Sequence, residues 1–231
     1  LAKTIFSVDG RVLLAKGIEL TGTLISKLDQ CGIAYLYVED KMFDDLHPDS
    51  TIPDEISLEA VSTIRHIFQN QAQAAQNMIA WNKLYRELDD IFESVYSEVA
   101  QHRHTMFCLN QIYTYDAYLY KHSYQVGVYS MIVAIRENYP KDKVREVALG
   151  SFLHDIGKLS ISRDIINKPG KLTPQEFEEV KRHTIYGYDI LRQIVSFPLL
   201  GAHIALQHHE RLDGSGYPRK LKGNEIHDYA K

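Results

Sequence analysis

His154-Asp155 and His208-His209 are two adjacent pairs of metal-ligating residue types, each at the end of a stretch whose apolar residues recur at helical intervals. Three imidazoles and a carboxylate in two such pairs are what a metal site needs, so the chain reads first as a metal-dependent hydrolase. The apolar period continues through roughly 117–138, 142–156, 174–195 and 199–208, punctuated by Pro140, the Lys168-Pro-Gly170 turn, Pro174 and Pro198. This half is expected to be an all-α bundle.

The His154-Asp155 pair is placed at the end of the helix whose apolar run is Val147–Leu153, with Gly157 ending that helix. Burying a carboxylate beside such a run is costly unless a cation neutralises it, and a metal does so. After His208-His209 comes Glu210, read as an acceptor for an imidazole N–H or as a solvent-facing charge. The run Asp213-Gly-Ser-Gly216 must turn sharply, because glycine takes positive φ without penalty. Tyr217-Pro218 stands at its exit. A lone helical histidine is more often structural than a ligand, and His47, His66, His102, His104, His203 and His227 are read that way.

The N-terminal half has a different grain. Two β-rich runs, 4–8 and 11–16, flank Asp9-Gly10, a pair suited to a hairpin turn. A helix is expected from Leu20 to Gln30 with Gly32 as its stop, then a strand over Ala34–Glu39 and a linker over Asp44–Asp54. From Glu55 to His104 little stops a helix, and Leu84, Leu88, Ile91, Val95 and Val99 form one stripe. That stripe serves either an antiparallel hairpin buried on the rest of the protein or a coiled-coil-like seam, which would give a homodimer through a signalling stalk.

At 231 residues and 45% hydrophobic content the chain can build real cores, and a net charge of −4 argues against wrapping a nucleic-acid polymer. A small basic patch at Lys158, Lys168 and Lys171 suits a small anion at most. Cys31 and Cys108 have no partner spacing and are expected to be reduced, core-like thiols in a cytoplasmic protein. No apolar run reaches the roughly 18 residues of a membrane span. The chain begins at Leu1, so residues upstream, and an attachment there, stay open. No Walker-type loop or G-x-G-x-x-G occurs, which sets aside nucleoside-triphosphate and dinucleotide-cofactor chemistry.

Taken in order, Asp116-x-Tyr118-x-Tyr120-Lys-His122-Ser123, His154-Asp-Ile-Gly-Lys158, Asn167-Lys-Pro-Gly-Lys-Leu172, His183-x-x-x-Gly187, His208-His-Glu-Arg211, Asp213-Gly-Ser-Gly-Tyr-Pro218 and Gly223-Asn-Glu-Ile226 resemble the HD-GYP family of the HD phosphohydrolase superfamily. The chain is thus expected to be mainly α, with residues 1–50 a small β/α module and 51–105 a helical linker or stalk by their patterns, and the resemblance, which covers about residues 110–230, implies that 106–231 is an HD-type helical bundle. It implies hydrolysis of the bacterial second messenger cyclic di-GMP to linear pGpG, GMP or both, with the N-terminal region regulatory. The alternative is a catalytically weak module that senses nucleotide or couples to partner proteins.

By the same resemblance His122, His154 and Asp155 match the ligands of one divalent ion, and Asp155, His183, His208 and His209 those of a second, with Asp155 bridging. Fe, Mn, Ni and Zn all suit such a set. Lys158 is expected to contact substrate phosphate. The loop Gly214, Ser215, Gly216, Tyr217 and Pro218 looks like a contact surface for partner signalling proteins or a plug that stabilises the fold. Two departures stand out. Tyr118 replaces the Glu that helps some members hold a third metal, and the chain stops at Lys231, before a helix that supplies a further aspartate ligand. Without that aspartate the two ions would keep about three uncompensated charges, so the protein as it stands is expected to bind metal poorly and the native gene product to be longer.

Overall fold

The computed structural model describes residues 1–7, 11–31, 33, 36–40, 52–74, 77–102 and 118–231. At the N-terminus β1 (Ile5–Phe6) and β2 (Val12–Leu14) pair antiparallel, Ile5 opposite Leu14 and Phe6 opposite Val12. Asp9-Gly10, between them, falls outside the described residues. Helix α1 (Gly22–Gln30) is started by Thr21, whose hydroxyl accepts the Leu24 amide at 3.3 Å. Leu1, Ile5, Leu28 and Ile33 close a small core of their own.

Two expectations fail here. The described part of the predicted third strand, residues 36–39, is not in a ladder: the Ala2 amide donates to the Tyr37 carbonyl at 2.7 Å, and Val38 stands exposed. Alternation alone does not make a strand without a second row of hydrogen bonds. Cys31, expected in a core, caps α1 at the surface as a free thiol; Cys108 and most of the predicted linker lie outside the described residues.

The helical stretch expected from Glu55 onward forms two helices, one for each arm of a hairpin, α2 (Asp54–Ala74) and α3 (Met78–Gln101). Asn77 is the missed signal. Its extended backbone leaves the side-chain oxygen to accept the Ile79 and Ala80 amides at 2.9 and 3.4 Å, an N-cap that starts a new helix. The helices pack against each other, and Leu84, Leu88, Ile91, Val95 and Val99 are all buried in the chain's own large core. Their stripe is used internally, as a buried hairpin requires.

That core continues into α4 (Tyr118–Arg136), α5 (Lys141–Phe152) and α9 (Leu199–Gln207). Glycines set the spacing. A methyl on Gly127 would run into the Phe152 ring, and one on Gly150 into the backbone of Gly201, so α5 lies close to both neighbours. Between them run the short α6 (Arg163–Ile166), then α7 (Pro174–Lys181) and α8 (His183–Leu191). Thr173 and Glu176 make a reciprocal capping box at the head of α7, with Pro174 at its first position. The helix predicted over 174–195 is broken at Arg182, and the one over 142–156 stops at Phe152. Among the described residues, no helix is long and apolar enough to cross a membrane.

Candidate metal centre

Four elements deliver the predicted groups to one place. His122 lies on α4, His183 opens α8, and His208 closes α9 with His209 in the turn beyond. His154 and Asp155 come from the turn after α5, not from the helix itself, and Asp155 caps the 3-10 turn Ile156–Ser160. Gly157 therefore does not end a helix. A methyl there would strike the His183 carbonyl and the Gly187 amide, so its bare backbone lets the turn press against α8. That contact sets Asp155 beside His183.

The Asp155 carboxylate faces both ways. Its Oδ2 lies 3.2 Å from His154 Nε2 and 3.8 Å from His122 Nε2; its Oδ1 lies 3.4 Å from His183 Nε2 and 3.8 Å from His208 Nε2. Ligand atoms of His122, His154 and Asp155 form one tight group, and those of His183, His208 and His209 another. Asp155 and His183 are each 1% exposed, and Oδ1 has no hydrogen-bond partner.

Backbone carbonyls fix the imidazoles. His154 Nδ1 lies 2.8 Å from the Ser151 carbonyl, His183 Nδ1 2.6 Å from that of Val180, and His208 Nδ1 3.0 Å from that of Ala205. A carbonyl only accepts, so each Nδ1 carries the proton and each Nε2 presents a lone pair inward. His183 Nε2 and His208 Nε2 then stand 3.3 Å apart, lone pair toward lone pair. Such a contact is repulsive without a cation between, and the orphaned Oδ1 beside it has the same need. The residues fit divalent metal.

The electrostatics agree. Burial pushes His122, His183 and His208 below the ordinary imidazole value, reinforced at His122 and His208 by the neighbouring His154, and it takes His209 down to about 4. These rings are neutral ligands at pH 7. Burial alone would raise the Asp155 carboxyl, but the close approach of His154 and the Lys158 ammonium outweigh it and hold the group well below the usual carboxylate range.

Other predicted groups land as follows. Lys158 Nζ donates to Asp155 Oδ2 at 2.7 Å. Lys168 is bound to Glu176 at 2.7 Å, so the sequence's basic trio is not a free patch. Glu210 serves neither an imidazole nor solvent: it is buried, and its two oxygens accept the Arg219 and Leu221 amides at 2.7 and 3.0 Å. It thus clamps the loop that carries Tyr217. Gly214 takes a φ of 78°, and Asp213 accepts the Ser215 amide and hydroxyl, giving the sharp turn expected. The Tyr217 ring stacks on His209, 4.6 Å between centroids and 20° between planes, and burial raises its phenol to about 12. A methyl on Gly216 would strike the backbone of residues 209–211, which is why the loop can lie on the ligand-bearing turn.

Tyr118's side chain, His47 and His104 lie outside what is described. His66 pairs with Glu87, His102 bonds the Glu98 carbonyl, His203 packs on Tyr188 and His227 accepts the Tyr229 amide, none in the cluster.

The HD-domain family model matches residues 107–231. The chain belongs to the HD-domain family, and its ordered motifs place it in the HD-GYP group. It is 37% identical over 137 residues to a cyclic di-GMP phosphodiesterase of Pseudomonas aeruginosa, covering 59% of this chain and 33% of that protein. It is 48% identical over 120 residues to one of Thermotoga maritima, covering 51% and 33%. A 3′3′-cGAMP-specific phosphodiesterase of Vibrio cholerae is 43% identical over 108 residues, covering 46% and 23%. The matched part is thus about a third or less of each relative's length. The structure of an HDG"Y"P protein from Bdellovibrio bacteriovorus shares the fold, with a TM-score of 0.56 at 19% identity, over 90% of this chain and 62% of that one.

Proposed function

We propose that this chain carries the catalytic centre of a metal-dependent phosphodiesterase that opens cyclic di-GMP to linear pGpG, GMP or both, with residues 1–105 as its regulatory part. One observation carries the reading: the two oxygens of a buried carboxylate face two separate sets of imidazole Nε2 atoms. His122, His154 and Asp155 would hold one ion, and Asp155, His183, His208 and His209 the other. Iron, manganese, nickel and zinc all accept such donors. A bound pair of this kind supplies a strong nucleophile at neutral pH and Lewis acidity toward the phosphoryl oxygens.

The chain's own residues do the rest. Carbonyl anchors at Nδ1 keep the lone pairs of His154, His183 and His208 aimed inward. Asp155 stays ionised. Lys158, on the Asp155 side that faces His154, adds a cation where charge develops on the phosphoryl group. Glu210 and Tyr217 hold His209 by clamping its loop and covering its ring. Those contacts favour the loop as a support for the site over a surface for partner proteins.

The test is to incubate the full-length protein with cyclic di-GMP and Mn or Fe(II), with Asp155→Ala as control, and separate the products by chromatography. Linear dinucleotide or GMP formed by the parent and not by the variant is the expected result. Metal bound without turnover leaves the sensor reading instead. The cGAMP-specific relatives make a second substrate worth the same assay: faster turnover of 3′3′-cGAMP would move the specificity and keep the chemistry.

A further inference from the structure

A cavity of about 870 Å³ has two of the candidate ligands, His208 and His209, in its wall. That is far more room than a phosphodiester needs and falls in the range of sites that enclose whole small molecules. Its wall is unlike the centre. Phe177 on α7 and Ile185 on α8 line it and are 46% and 41% exposed, so neither is spent on the core.

Phe177 is also held in place. Its ring meets Tyr217 edge to face at 6.5 Å, and Lys181 Nζ stands over it at 4.8 Å while donating to Glu178 at 2.6 Å. Tyr217 has its own face committed to His209. The aromatic surface left half exposed in this wall is that of Phe177, with Lys181 over the ring and Ile185 in the same wall. Fixed aromatic faces next to cations are what nucleobases stack on, because every base has a π-face and carries its charge on the neighbouring phosphate.

We propose that Phe177, backed by Ile185, is a specificity-determining residue that stacks a nucleobase of the diester whose phosphate sits at the metal centre. The proposal rests on the phosphodiesterase reading above. Neither residue belongs to the motifs that carry the family resemblance.

Full-length protein, Phe177→Ala and Phe177→Trp are compared on cyclic di-GMP and on an abasic ribose dimer joined by one phosphodiester. In Phe177→Ala the KM for cyclic di-GMP should rise about tenfold with kcat within about twofold, as expected for loss of one stacked base. The kcat/KM preference for cyclic di-GMP over the abasic dimer should fall by the same factor, and Phe177→Trp should restore it. An unchanged KM, or equal losses on both substrates, overturns the proposal. Should the parent hydrolyse neither diester, the phosphodiesterase reading fails, and the wall is judged by calorimetric binding of cyclic di-GMP to metal-loaded protein. A Kd at least about fivefold weaker in Phe177→Ala supports stacking; an unchanged Kd, or no binding by the parent, overturns it.

Discussion

At position 157 one hydrogen atom is the whole side chain, and a methyl group in its place would meet backbone of His183 and Gly187, which cannot rotate away. Gly157→Ala is expected to push α8 off the 155-bearing turn, lower stability by about 1–3 kcal/mol and lose metal. Thermal unfolding and elemental analysis of the same sample check both; full metal content with an unmoved Tm would show that the close contact does not set the centre. Glu210 gives a second residue-scale expectation. Glu210→Ala removes the acceptor of two amides, so hydrogen exchange at Arg219 and Leu221 should speed by at least about tenfold, since a bond to a charged group is worth about 1.5–3 kcal/mol. Unaltered exchange there would mean that the loop holds without it.

Among the elements, α2 is tied to the ligand-bearing α4 by a buried pair of hydroxyls. Ser57 on α2 and Tyr124 on α4 lie 2.8 Å apart, both about 1% exposed, and the Tyr124 ring is parallel to that of Phe152 at the end of α5. Tyr124→Phe should cost about 1–2 kcal/mol by leaving the Ser57 hydroxyl alone, and Ser57→Ala added to it should recover part of the loss. Denaturant unfolding of the two single variants and the double closes that cycle; strict additivity would mean that the pair is not coupled. None of this was legible in the sequence, because a hydrogen bond between residues 57 and 124 leaves no periodic trace. What the sequence did carry was local or repeated: helical stripes, the punctuation at Pro174, and the motifs bearing all six candidate ligands. It failed where one residue changed the outcome. Asn77 sets where the hairpin of α2 and α3 breaks, Arg182 divides a helix read as one, and Glu210 sits beside two candidate ligands yet serves the backbone across the loop.

For the whole molecule the imidazoles act together. In the folded chain burial holds His122, His183, His208 and His209 below the ordinary value of 6.5, while in the unfolded chain they regain it. Between 6.5 and about 4 the unfolded state therefore binds more protons, and stability of the metal-free protein must fall as pH falls through that window. Chemical denaturation in EDTA from pH 7.5 to 4.5 measures it, and a midpoint that rises on acidification would refute the buried neutral cluster. The shared core of α2, α3, α4 and α5 has a further outcome for anyone who would trim or transplant this domain. Cutting at the family boundary near 107 would strip a shoulder of Ile64, Phe68, Leu88 and Phe92 from their neighbours and leave an oily flank facing water. Such a fragment should clump on expression, so a graft of the chemistry needs the two extra helices moved with it.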